Sequence, residues 1–199
     1  MSEQYFVNQP QSKSDPKTWT FDLRGNSFQF TSDVGVFSKN EVDFGSRTLI
    51  DAFDLPGISG DIVDLGCGYG PVGISLAKAF PERQIVLSDI NERAITLAKE
   101  NAAKNNISNV SFYLSDRFES LPDHKYAAVL TNPPIRAGKQ VVHQIFEDSF
   151  HALALGGELW VVIQKKQGAP SAFKKMDQLF SVVETVRKNK GYMVIRAKK

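Results

Sequence analysis

Asn132, Pro133 and Pro134 follow the apolar stretch Tyr126–Leu130. Two adjacent prolines cannot donate to a sheet ladder, so a strand has to end there. The asparagine then offers an amide at a strand terminus, with Ile135, Arg136 and Lys139 directly after it in TNPPIRAGK, residues 131–139. A plain chain exit uses the same residues, since Asn-Pro is a common turn initiator. A second set lies upstream. VDLGCGYGPVG, residues 63–73, puts glycines at 66, 68, 70 and 73 between an apolar strand and a helix. That context lets the backbone approach a ligand closely, with a helix N-terminus just behind. Asp64 precedes the loop, Asp89 lies 19 residues after Gly70, and Asp116 follows a later strand.

An acid at the end of the second strand can hold a ribose diol through paired hydrogen bonds. Two nucleotide-type ligands fit this arrangement, a dinucleotide and S-adenosylmethionine, and the order of the acids favours the second. Asp64 stands where a carboxylate could meet a cationic amino group rather than a pyrophosphate, and Asp116 could accept from an adenine amine. Three carboxylates around one pocket repel a pyrophosphate and attract a sulfonium. His124, His143 and His151 lack ligand-like spacing and have no cysteine or acidic partners that would make a metal set. Cys67 reads as a small residue in the glycine turn.

The elements that must position these groups alternate. Trp19–Thr31 reads as a β-hairpin around Arg24-Gly25-Asn26, and residues 32–46 as a loop feeding a helix near Gly45–Asp54. Strands are expected at Ile62–Leu65, Ile85–Leu87, Val110–Leu114, Tyr126–Leu130 and Glu158–Ile163. Helices are expected at Pro71–Phe80, after Asn91 as a cap, at Val141–Leu155 ended by Gly156-Gly157, and at Pro170–Phe180. The chain closes with two alternating segments around Asn189-Lys190-Gly191, a second hairpin. Alternating β and α elements imply a Rossmann-like α/β fold: a seven-stranded, mostly parallel sheet with helices on both faces. The closing hairpin makes one C-terminal strand antiparallel.

The chain has 199 residues, 42% hydrophobic and 23% charged, which suits one soluble domain with a real core. Residues 1–17 read as a flexible arm and 18–199 as the domain, with 18–45 forming the hairpin and a loop that covers the ligand. No apolar run exceeds five residues, so no membrane span is expected. The N-terminus has no signal-peptide core, and a single cysteine agrees with a reducing compartment, so a cytoplasmic location is expected. Charge is split: residues 1–100 carry 9 Lys/Arg against 14 Asp/Glu, whereas residues 101–199 carry 15 against 8. A basic surplus of that size attracts polyanions.

Taken together, DLGCGYG, SDIN, the Ser115-Asp116 pair, NPP and the terminal hairpin resemble class I S-adenosylmethionine-dependent methyltransferases. Within that class, GVFS (Gly35–Ser38), DFGS (Asp43–Ser46) and NPPIRAGK resemble the small-domain rRNA methyltransferases that act on N2 of a guanosine in 16S rRNA. The resemblance covers about residues 18–198. It implies S-adenosylmethionine as cofactor and small-subunit rRNA or the ribosomal subunit as partner, with no metal. Asp64, Gly66, Gly68 and Gly70 would hold the methionine part of the cofactor, Asp89 the ribose, and Asp116 would neighbour the adenine. Gly35, Phe37 and Ser38 would wall the pocket near the transferred methyl. Asn132, Pro133 and Pro134 would face the substrate amine, with Asn132 also against the cofactor. Ile135 stands where amine-directed enzymes often carry an aromatic, and Arg136 and Lys139 would meet phosphates. Methylation of another planar amine or amide, such as adenine N6 or a protein glutamine, is the alternative chemistry. A non-catalytic RNA-binding module that retains cofactor binding is the alternative from another class.

Overall fold

The structure, a computed structural model, describes residues 13–36, 38 and 41–199; Phe37 and the first twelve residues of the expected arm lie outside these. The chain opens with a hairpin of β1 (Lys17–Leu23) and β2 (Asn26–Ser32), in register from Lys17↔Ser32 to Leu23↔Asn26. Helix α1 (Phe44–Ala52) follows, capped by Asp43, whose side chain accepts from the Ser46 N–H at 3.1 Å. The alternation then runs β3 (Ile62–Leu65), α2 (Pro71–Ala79), β4 (Ile85–Asp89), α3 (Glu92–Lys104), β5 (Val110–Leu114) and β6 (Tyr126–Thr131). It continues with α4 (Lys139–Ala152), β7 (Leu153–Gln164), α5 (Ala169–Asp177), β8 (Val182–Asn189) and β9 (Tyr192–Lys198).

The seven strands order as β5-β4-β3-β6-β7-β9-β8. Only β9 runs against its neighbours, pairing antiparallel with both β7 and β8. β3 and β6 are buried at every residue, which requires cover on both faces and explains why neither sequence alternates apolar with polar; the charged Asp64 of β3 and Thr131 at the end of β6 are buried with the rest. Ile62, Leu87, Leu130 and Trp160 pack with α1, α2 and α3 on one face. Val63, Val129, Val161 and Ile195 pack with α4 and α5 on the other.

The junction of α4 and β7 departs from the expected pattern. Helix α4 stops at Ala152 rather than running to Leu155, because Leu153 already pairs with Tyr126 on β6. The glycines expected to end that helix instead form an irregularity inside β7, where the register jumps from Tyr126↔Leu153 to Ala128↔Glu158. Gly157 is obligatory there, since a Cβ would stand 2.9 Å from the Ala154 carbonyl oxygen and 3.0 Å from that of Tyr126.

Helix α3 ties the first hairpin to the sheet. Asn101 Oδ1 accepts from the Thr31 N–H and its Nδ2 donates to the Thr31 carbonyl, both at 2.8 Å. Asn105 does the same for Gln29, at 2.9 and 2.8 Å. Four helical residues rise about 6 Å, and two strand residues about 6.6 Å. One face of α3 therefore reproduces the spacing of a paired strand, and its amides satisfy the open edge of β2. This fastening places the segment after β2 above the carboxyl edge of the sheet.

Candidate functional site

The strand order reverses between β3 and β6: the chain leaves β3 toward β4 on one side and returns to β6 on the other. Ligands of open α/β sheets bind in the crevice at such a switch point, beyond the carboxyl ends of the strands. A cavity of about 410 Å³ lies there. Of the residues expected at a site, Ser38, Asp64, Gly66, Gly68, Asp89, Asp116, Asn132, Pro133 and Pro134 line it.

Gly35, Gly70, Ile135, Arg136 and Lys139 stand off the wall. The Gly35 carbonyl accepts from Asn91 Nδ2 at 2.9 Å, which fastens the covering segment to the N-terminus of α3. Gly70 caps α2 at φ 97°, where a Cβ would come within 2.7 Å of Ile74 Cδ1. Ile135 is half-buried against the core that contains α4. Arg136 and Lys139 are exposed and flank Ala137 and Val141, which do line the cavity. Phe37 lies outside the described residues.

The glycine loop keeps its amides for itself. Gly66 N–H and Cys67 N–H both donate to the Ser88 carbonyl, at 2.8 and 2.9 Å, and Gly70 N–H donates to the Cys67 carbonyl at 3.0 Å. Gly68 N–H donates to Asp89 Oδ2 at 2.8 Å. Behind the loop, Pro71 brings no donor to the first turn of α2, and Gly73 N–H donates to Asp64 Oδ2 at 2.8 Å. The position where a helix N-terminus would take a ligand's phosphate is thus filled by the protein's own carboxylate. A pyrophosphate would meet an anion here, so this geometry speaks against the dinucleotide.

The carboxylates invite a cation. Asp64 is buried, and desolvation pushes its carboxyl up to about 7, partly offset by the Gly73 N–H and reinforced by the Asp89 charge. Burial likewise raises Asp89 to about 6, against the N–H groups of Asn91 and Gly68. Among the described residues, no lysine, arginine or histidine forms an ion pair with either. Asp116 is more open and pairs with Arg117 at 3.1 Å. Two costly carboxylates facing a cavity and lacking a counter-charge fit a ligand that brings a sulfonium and an ammonium. Burial also pushes the Cys67 thiol up, which leaves it inert as a nucleophile.

The second half of the site is oriented by residues whose role the sequence did not reveal. Asn132 Nδ2 donates to Asp43 Oδ1 at 3.2 Å and to Ser46 Oγ at 3.3 Å, and all three residues line the cavity. Both amide hydrogens are thereby engaged, and Oδ1 remains as the acceptor. The same Asp43 Oδ1 caps α1, so the helix terminus and the amide share one anchor. The signal was present as Asp-x-x-Ser before an apolar run, a helix-start pattern with no visible link to Asn132. The histidines sit apart: His124 pairs with Asp61 at 3.0 Å, and His143 lies 3.3 Å from Ser171 Oγ. No group of acidic, cysteine and histidine side chains suited to a metal occurs among the described residues. Nor is any helix among them long and apolar enough to cross a membrane.

Residues 27–196 match the family model for the methyltransferase small domain. An uncharacterized protein of Bacillus subtilis, YbxB, is 57% identical over 200 residues and is covered in full, as is this chain. Ribosomal RNA small subunit methyltransferase C of Vibrio cholerae is 32% identical across 92% of this chain and 53% of its own length. Ribosomal RNA large subunit methyltransferase G of Klebsiella pneumoniae is 25% identical across 96% of this chain and 51% of its own. The chain therefore spans about half the length of these two rRNA methyltransferases. Among solved structures, the T. thermophilus 16S rRNA N2 G1207 methyltransferase (RsmC) in complex with AdoMet and guanosine superposes with a TM-score of 0.83. It is 21% identical and covers 96% of this chain and 52% of its own.

Proposed function

The chain belongs to the methyltransferase small-domain family, and from that premise we propose that it uses S-adenosylmethionine to methylate the exocyclic N2 amine of a guanosine in small-subunit (16S) rRNA. Bound S-adenosylmethionine supplies an electrophilic methyl group on a sulfonium. Asp64 takes the ammonium of its methionine part beside Gly66 and Gly68, Asp89 takes the ribose diol, and Asp116 lies toward the adenine. Ser38 and the adjoining loop close the wall. These assignments rest on the cavity lining and on the two unpaired carboxylates.

The observation that carries the amine is the tethered amide of Asn132. A purine amine is a weak nucleophile because its lone pair is delocalised into the ring. Asn132 Oδ1 and the Pro133 carbonyl each accept one of its hydrogens, which directs the lone pair and stabilises charge developing on nitrogen. With Nδ2 already fixed by Asp43 and Ser46, the amide cannot turn its donor toward the substrate. Proline stiffness leaves little reorganisation for the moment of reaction. No strong base is needed, since the alkylated nitrogen is acidic and loses its proton to water. Arg136 and Lys139, exposed beside the cavity, meet phosphates next to the target. The small-subunit assignment is favoured over the large-subunit one by the higher identity to the small-subunit relative, 32% against 25%.

Mass mapping of methylated nucleosides in rRNA from cells with and without the gene tests this. Loss of one N2-methylguanosine from small-subunit rRNA is the expected result. Loss from large-subunit rRNA would reassign the substrate, and unchanged rRNA would refute the reading.

A further inference from the structure

A second cavity, of about 600 Å³, lies between the tip of the β8–β9 hairpin and the start of α5. Phe173 and Met193, which pack with the core on the α5 face, and Tyr192, which packs with the core on the α1 face, give it a half-buried, largely aromatic lining, and Lys165, Lys188 and Lys190 stand exposed around it. Among the described residues, no carboxylate forms an ion pair with any of these three lysines. The cavity lies at the same edge of the sheet as the first. β7 ends at Gln164, which pairs in register with Tyr192, and its parallel neighbour β6 ends at Thr131, beside Asn132. Residues Asp43 and Phe44 link the linings of the two cavities. Asp43 lines the first, and the adjacent Phe44 packs its ring 5.7 Å from that of Tyr192. Lys190 Nζ stands 5.2 Å from the centre of the Phe44 ring. Gly45 has no room for a Cβ, which would fall 2.9 Å from Tyr192 Cε1.

A largely aromatic lining ringed by cations selects a ligand with a planar ring and attached negative charge. We propose that this second cavity binds a nucleotide of the substrate RNA that flanks the methylated base, the base against Phe173 and Tyr192 and its phosphates against Lys165, Lys188 and Lys190. The inference rests on the RNA substrate proposed above and adds a second point of attachment. Stacking on aromatic side chains accepts any base, so the site supplies affinity and register rather than choice of target. Three of the basic residues of the second half of the chain, Lys165, Lys188 and Lys190, thus stand around one ligand-sized hollow.

The test is the triple substitution Lys165→Gln, Lys188→Gln, Lys190→Gln, in exposed side chains whose replacement leaves the core intact. Binding of a fluorescein-labelled single-stranded RNA oligonucleotide is followed by anisotropy across a salt series, and methyl transfer is followed on that RNA and on free guanosine. Each phosphate that the protein no longer neutralises flattens the log–log salt slope by about 0.7 for a single strand. The expected result is weaker RNA binding by tenfold or more, a flatter slope, and lower kcat/KM on RNA with transfer to guanosine unchanged. Equal affinity and slope in variant and wild type would overturn the second site while leaving the methyltransferase reading intact. Wild type that binds RNA through these lysines yet methylates neither substrate would refute the reaction and uphold the cavity. Adenosine monophosphate displacing the oligonucleotide at equal affinity would reassign the cavity to a free nucleotide and overturn the RNA assignment.

Discussion

Cofactor affinity should depend steeply on pH, and the size of the effect follows from the two carboxylates. In the free protein Asp64 titrates near 7 and Asp89 near 6, both above the ordinary value for aspartate because burial penalises their charge. Asp64 must be ionised to take the ammonium and Asp89 to accept both hydrogens of the ribose diol, so binding below these values must first release protons. At pH about 7.5 Asp64 is roughly three-quarters ionised and at about 5.5 only about 3%, a factor of about 25. Asp89, coupled to Asp64 by their mutual repulsion, adds up to about fourfold over the same interval, so the loss is at least about tenfold. The interval ends just below the ordinary α-amino value of about 7.7–8.0, so the ligand's ammonium stays mostly protonated and its partial loss near pH about 7.5 trims the effect by less than about twofold. Stability carries the opposite sign in the free protein. A carboxyl raised on folding stabilises below its unfolded value, and that stability is lost as pH rises through about 6 for Asp89 and about 7 for Asp64. Isothermal calorimetry with S-adenosylmethionine, in buffers of differing ionisation enthalpy, reads both affinity and protons released. Thermal melts of the free protein supply the second arm. The variant Asp64→Asn should bind weakly at every pH with a flattened profile, and should melt higher than wild type at pH about 8. A wild-type affinity that is level between pH about 5.5 and 7.5, with no proton release, would refute the account of Asp64 as the ammonium receptor and Asp89 as the ionised acceptor of the ribose diol.

Asn132→Ala should leave cofactor affinity nearly unchanged and lower kcat by about a hundredfold or more, as removal of a transition-state hydrogen bond does; single-turnover kinetics on RNA measures it. Asp43→Ala should lower kcat by a smaller factor and cost about 1 kcal/mol of stability, because it frees the Asn132 amide and uncaps α1 together. Asp43→Asn, which still offers an acceptor oxygen, should recover most of both losses. Gly73→Ala should destabilise by about 1–3 kcal/mol in denaturant melts, since its Cβ would stand 2.6 Å from Leu87 Cγ, and a normal midpoint would show that β4 yields more readily than its packing implies.

What the sequence determined about this protein is local in the chain. The strand–glycine loop–helix unit around residues 63–73, the acids at 64, 89 and 116, and the paired strands at each end depend on periods and spacings of a few residues. Those fix element type and place the functional groups at strand ends. The helix expected at Val141–Leu155 could be placed but not ended, because Leu153 is drawn into β7 by its pairing with Tyr126, a pairing no local pattern encodes. The loop glycines were legible, yet where their amides point was not: only the folded chain shows that Ser88 and Asp89 consume them and that Asp64 occupies the helix terminus. Asn132 was readable as an acceptor, but its tether to Asp43 spans 89 residues. The amides of Asn101 that hold the hairpin reach across 70. The second cavity needs α5 and a hairpin tip brought together by β9 inserting between β7 and β8. Side-chain periodicity carries the information for which face is buried; which distant groups then meet depends on strand order and helix placement, and these are settled by packing of the whole core.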